Sequence, residues 1–217
     1  MLLDRNRSAL VLVDFQSRLM PVIHGAESVL DGAIFLARVA RELGVPVLGT
    51  EQNPRALGIN DARVRELCDR TLLKMHFSAV ADGLLAELLS LAPRAQQVVL
   101  AGCETHVCLL QTALEVQQAG IQAFVVAQAC GSRRPEDKLA ALERMQQAGV
   151  TLVAAEMVAF EWLRSCEHPA FGQVLSLIKG RPGARVDASV VRAISRQPRC
   201  FPCDADPWGL PRSGGGT

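Results

Sequence analysis

Short, mostly apolar runs alternate along this chain with longer stretches in which apolar residues recur every three or four positions. The runs at residues 9–15, 45–50, 71–74, 98–101, 122–127 and 151–154 have the length and branched side chains of buried strands. Between them, residues 28–43 place Val29, Leu30, Ile34, Leu36, Ala37, Val39, Ala40 and Leu43 on one helical stripe, with Gly44 behind them as a stop. Residues 81–91 make a second helix that closes near Pro93, residues 107–119 a third ending at Gly120, and residues 135–148 a fourth ending at Gly149. Apolar strands alternating with glycine-stopped helices predict an α/β fold, a parallel sheet covered on both faces.

Composition narrows this to one domain. Of 217 residues, 49% are hydrophobic and 21% charged, with a formal net charge of +1. That is ample apolar surface for a single core, and it gives no electrostatic case for nucleic acid or an anionic membrane as partner. Residues 1–8 hold no apolar leader and no stretch is long enough to span a bilayer. Seven scattered cysteines, an odd number, predict reduced thiols and a cytoplasmic protein. The last 37 residues hold five of the eleven prolines, six arginines and no lysine. The expected organisation is therefore a domain at 1–180 and a poorly ordered tail at 181–217, with one short helix near 188–195. Cys200 and Cys203 have C-x-x-C spacing, but one such pair without a second reads as incidental.

The segment from Val98 to Cys108 carries the most chemistry. An apolar strand ends at Gly102 and a helix begins near Val107, so Cys108 falls in a first helical turn just past a strand. Unpaired backbone N–H groups and the helix dipole favour negative charge there, which predicts a lowered thiol pKa and a place to hold an oxyanion. In an open parallel sheet ligands bind outside the carboxyl ends of the strands. Asp14 and Lys74 close two other strands, so the architecture brings Asp14, Lys74 and Cys108 to one rim. Each alone has a plainer reading: a loop aspartate, a solvent-seeking lysine, a packed cysteine. Together they suit a nucleophile with its proton carrier and a neighbouring cation.

With Leu12-Val-Asp14-Phe-Gln16, Lys74 before Phe77-Ser78, Gly102-Cys-Glu-Thr-His-Val-Cys108 and Thr112-Ala113 in view, residues 7–179 resemble the isochorismatase-like cysteine hydrolases. The resemblance implies a three-layer α/β/α, Rossmann-like, doubly wound sheet of six mostly parallel strands. It implies a Cys108–Asp14–Lys74 triad, a cis peptide at Cys103–Glu104, and an oxyanion hole built from the backbone N–H groups of Glu104 and Cys108. It also implies a homo-oligomer acting on a small-molecule substrate. Nicotinamidases of this superfamily carry metal-binding histidines after the second strand, whereas residues 50–58 here contain none and His24, His76, His106 and His168 lack ligand spacing. No metal and no cofactor are expected, and the Glu51-Gln52-x-Pro54-x-x-Leu57-Gly58 pattern looks like the isochorismatase domain-containing branch.

Candidate pocket residues are Phe15, Gln16, Glu51, Gln52, Phe77 and Thr105, each with a duller alternative in core packing or turn chemistry. Leu19 shares the wall candidacy, Thr105 is a candidate N-cap, and His106 has no assigned role. The apolar stretch 157–163, with Phe160 and Trp162, suits either a subunit interface or a helix packed on its own sheet. The rival class is a non-catalytic interaction module that keeps the fold. A nucleotide-binding Rossmann protein is disfavoured because residues 14–18 hold no glycine to admit a phosphate. A thiol redox protein is weaker still.

Overall fold

In a computed structural model that describes residues 1–181, the strands are β1 (Ser8–Val13), β2 (Val47–Gln52), β3 (Arg70–Lys74), β4 (Gln97–Cys103), β5 (Gln122–Gly131) and β6 (Thr151–Val153). They form one six-stranded sheet, all parallel, in the order β3-β2-β1-β4-β5-β6. The expected short helix at 188–195 and the Cys200/Cys203 pair lie outside the described residues.

β1 and β4 are buried at every position, as central strands covered on both faces must be. Because side chains alternate across a strand, Leu10, Leu12, Val99 and Ala101 join one core cluster, and Ala9, Val11, Val13, Val98 and Leu100 the other. The first cluster lies under helices α1 (Ala26–Glu42), α7 (Ala155–Leu163) and α8 (Phe171–Lys179), with the short turn α3 (Ala62–Arg65) at its margin, while another short turn, α2 (Pro54–Leu57), follows β2. The second lies under α4 (Leu84–Leu91), α5 (Leu110–Gln118) and α6 (Pro135–Gln147). The result is three α/β/α layers, doubly wound about the β1/β4 pair. No helix among the described residues is long and apolar enough to cross a membrane.

The stretch 157–163 belongs to α7, which turns Ala155, Val158, Ala159, Trp162 and Leu163 into the core and leaves Met157 and Phe160 half exposed. Trp162 is buried because its one polar group is satisfied: Nε1–H donates to Ser8 Oγ at 3.1 Å.

Strand ends differ from the expectation in ways that matter for the site. β1 stops at Val13 rather than at residue 15, because Asp14 takes a left-handed conformation with φ 56°. β2 runs two residues past Thr50, pairing Glu51 with Leu73 and Gln52 with Lys74, so Glu51 and Gln52 are strand residues rather than loop residues. β4 continues through Gly102 to Cys103 after a register shift that pairs these with Cys130 and Gly131. Such an irregularity re-aims the chain at a strand end.

Gly102 permits this close approach. Its φ is +150°, and a Cβ there would lie 2.2 Å from the Val13 carbonyl oxygen on the neighbouring strand. Gly102→Ala is expected to cost about 3 kcal/mol or more, the upper end for overpacking against backbone. Gly172→Ala in α8, where a Cβ meets nothing within 4 Å, should be neutral or mildly stabilising. Urea denaturation of both variants checks this, and a wild-type midpoint for Gly102→Ala would show that β1 can yield.

Candidate active site

Asp14, Lys74 and Cys108 stand at the carboxyl ends of β1, β3 and β4, and the structure brings them together. β2 lies between β1 and β3, so the lysine's long stem must cross it to reach the aspartate. It does so in full burial, with Lys74 Nζ 2.8 Å from Asp14 Oδ2 and both side chains 0% exposed. An ion pair without solvent survives only where hydrogen bonds replace the lost water. Thr50 on β2 donates to Asp14 Oδ1 at 2.6 Å. Lys74 Nζ donates to Gln52 Oε1 at 2.7 Å, to the Phe77 carbonyl at 3.0 Å and, more distantly, to that of His76 at 3.4 Å. Its contact with Asp14 Oδ2 is a buried ion pair at hydrogen-bond distance.

Cys108 sits in a π-helical turn, Thr105–Leu109, that leads into α5. π-turns of this kind recur at functional sites. The peptide before the turn, Cys103–Glu104, is cis. The Glu104 carbonyl receives the N–H groups of Val107 and Leu109 at 3.0 and 3.3 Å. Its carboxylate is tied to Arg133 through both the backbone N–H and Nε, each at 3.0 Å. His106 Nδ1 meets Ser132 Oγ at 3.0 Å. The β5–α6 connection therefore fixes the turn from the side.

The expectation of a lowered thiol pKa is overturned. Burial pushes the Cys108 thiol up to about 12; the Asp14 carboxylate raises it further, and the Lys74 ammonium only partly opposes them. The reason is desolvation: Cys108 is 7% exposed, and a thiolate pays more for leaving water than the turn and one cation return. The resting group is a thiol beside a carboxylate, and a proton must move before sulfur can attack.

The other sequence candidates fall in three places. Phe15 is fully buried in the cluster under α1, as core rather than pocket wall, and Leu19 packs at that cluster's edge. Gln16 is fully buried; its side chain donates to the carbonyls of Gln52 and Gly58 at 2.9 and 2.6 Å and accepts from Gln52 N–H at 2.9 Å. Glu51 points to the opposite face of the sheet from Gln52, where it accepts from Asn60 N–H and lies 3.8 Å from Arg65. Gln52 supports Lys74 from below. Phe77 is 54% exposed beside the site. Thr105 is not the N-cap: the wide turn shifts that position to Glu104, and the Thr105 hydroxyl is buried without a hydrogen-bond partner. Thr50 and Arg133 were missed. The spacing of Thr50 and Gln52, two apart on one strand face, is a signal for the first; nothing in the sequence marks the second. Among the described residues no cluster of three or more His, Cys, Asp or Glu side chains could hold a metal.

Comparison with known proteins adds an independent line. A family model of the isochorismatase domain matches residues 8–157. Mouse isochorismatase domain-containing protein 2A is 37% identical over 172 residues, which cover 79% of this chain and 82% of that protein. The structure of MAR1 ribonuclease from Caenorhabditis elegans superposes with a TM-score of 0.79 at 28% identity, covering 86% of this chain and 97% of the other. The YcaC gene product of Escherichia coli, an octameric hydrolase of unknown specificity, gives a TM-score of 0.76 at 23% identity over 82% and 90% of the two chains.

The charge pattern makes an unusual prediction. Removing the carboxylate in Asp14→Asn leaves Lys74 unopposed, so Cys108 should alkylate with iodoacetamide about tenfold faster or more near pH 8, the effect of a one-unit fall in thiol pKa. Lys74→Met should slow it by a similar factor. Peptide mass spectrometry at Cys108 reads both rates. Equal rates in Asp14→Asn and wild type would mean that the two side chains do not interact.

Proposed function

The chain belongs to the isochorismatase domain family, and from that premise we propose that it is a cysteine hydrolase acting on a small amide, carbamoyl or related acyl compound. One observation carries the reading: a thiol and a lysine-paired carboxylate share a buried site. A carboxylate in that state is a base, and the thiol beside it is the acid.

In this reading Asp14 Oδ2 takes the Cys108 proton as the sulfur attacks the acyl carbon. The carbonyl electrons move onto oxygen, which the N–H groups of Glu104 and Cys108 hold. The oxyanion collapses, the C–N bond breaks, and Asp14 returns its proton to the departing nitrogen. A water then gives its proton to Asp14 and attacks the thioester. Collapse of that second oxyanion expels the Cys108 thiolate, which recovers the proton from Asp14, and the acid leaves. Lys74 stays charged throughout, holding the carboxylate in place and offsetting negative charge at sulfur.

The net charge of +1 supplies no field to gather a polyanion such as RNA, which favours a small substrate. A reducing compartment suits the five described cysteines, none paired with another. The half-exposed Met157 and Phe160 beside the exposed Leu2 suit contact between copies of the chain.

Cys108→Ala and Cys108→Ser are expected to lose hydrolysis by about a thousandfold or more while keeping the wild-type circular dichroism spectrum. The assay is ammonia or amine release from a panel of small amides and carbamoyl compounds, with mass spectrometry of the wild type for an acyl adduct on the Cys108 peptide. Turnover surviving in Cys108→Ala would sink the covalent route, whereas a wild type that hydrolyses none of the panel would favour the interaction-module class.

A further inference from the structure

The loop after β3 is pinned at its main chain and bare at its apolar side chains. Asp82 Oδ2 accepts from the N–H groups of Met75 and His76 at 3.0 and 2.9 Å. The Phe77 carbonyl accepts from Lys74 Nζ at 3.0 Å. Ser78 Oγ donates to Glu115 Oε2 at 2.6 Å and the Ala79 N–H to Thr112 Oγ1 at 3.0 Å, both partners lying on α5. Phe77 is therefore held by Lys74 on one side and, through its neighbours, by the helix that follows Cys108 on the other. Ser78 and Thr112, two motif residues with no part in proton transfer, have their place in this anchoring.

What the pinned segment presents is apolar. Leu73, Met75 and Phe77, at alternate positions, are each more than half exposed. Isolated exposed apolar side chains are ordinary. These three form a stripe along the edge strand β3 and its loop, and the stripe ends one hydrogen bond from the ammonium that pairs with Asp14. The charges beside it are engaged: His76 pairs with Asp82 at 3.1 Å, and Glu115 accepts from Ser78. An ionic substituent would have to displace one of these contacts. An apolar one would meet a ring on a fixed backbone, which loses little freedom on binding.

We propose that Phe77 is a specificity-determining residue, and that it receives a flat apolar substituent, such as an aryl ring, carried next to the acyl carbon. This names the substrate class within the cysteine hydrolase reading and rests on that reading for its catalytic meaning. The contact with an apolar group does not depend on turnover.

The test uses two alkylating agents that bring the same iodomethyl carbon to Cys108, iodoacetamide and its N-phenyl analogue, iodoacetanilide. Each rate, read by peptide mass spectrometry, is divided by that agent's rate with glutathione. The wild type should prefer the phenyl compound by about threefold to tenfold, the range of an aromatic pair. In Phe77→Ala the preference should fall to within about twofold of unity, with the iodoacetamide rate unchanged. Substitution at so exposed a side chain leaves the fold intact. No preference in the wild type, or a preference that survives in Phe77→Ala, overturns the proposal. So does an equal fall in both rates, which would make Phe77 a support of the loop and not a contact. Absence of preference together with a changed gel-filtration volume for Phe77→Ala would give the ring to a second copy of the chain, again overturning it. A preference that needs Phe77 in a protein that hydrolyses nothing would sink the hydrolase reading and leave the aryl contact standing.

Discussion

A lysine and an aspartate buried together without solvent set the terms for this molecule. Taking two such charges out of water costs several kcal/mol per ion, and their attraction offsets that only if other groups supply the lost hydrogen bonds. Here those groups are Thr50 for the carboxylate, and Gln52 with two main-chain carbonyls for the ammonium. Each depends on the sheet. Asp14 and Thr50 follow from the pairing of Val13 with Thr50, and Gln52 meets Lys74 because the two are partners in the β2–β3 register. A one-residue slip of β2 would send Thr50 and Gln52 to the other face and leave both charges bare. The register of three strands is therefore tied to one ion pair.

Burial also decides how the cysteine can work. A thiol pushed up to about 12 is almost wholly protonated at neutral pH, so an exposed-thiolate picture of Cys108 does not fit. What the site offers instead is a carboxylate beside the thiol, stabilised by the lysine. In the proposed reaction, proton transfer and sulfur attack belong to one event, and the desolvation that disfavours the free thiolate would strengthen the interactions that hold the oxyanion.

Much of this was legible in the sequence. The alternation of strands and helices, the stops at Gly44, Gly120 and Gly149, and the position of Asp14, Lys74 and Cys108 at three strand ends follow from local pattern and one topological rule. The thiol's charge state was not legible, because a helix N-terminus pulls a pKa down and burial pushes it up, and only the packed structure says which is larger. The ends of β2 and β4 were misread for a related reason. Glu51 and Gln52 are polar and precede a proline, which looks like a loop, yet both are buried because each has a specific partner across the strand or beyond it. Arg133 was invisible, since its link to Glu104 joins positions 29 residues apart through a turn whose path no periodicity encodes.

The misreading has a chemical consequence for recognition. Gln16, Glu51 and Gln52 looked like groups that would meet a substrate, and each has turned inward to hold the protein's own backbone or its lysine. Polar groups already engaged in this way cannot be borrowed by a ligand without leaving a buried partner unsatisfied, at about 1–3 kcal/mol apiece. In the proposed reaction, recognition would fall to the exposed ring of Phe77 and the N–H groups at the head of the π-turn. On that proposal the charges in this site serve the proton, not the substrate.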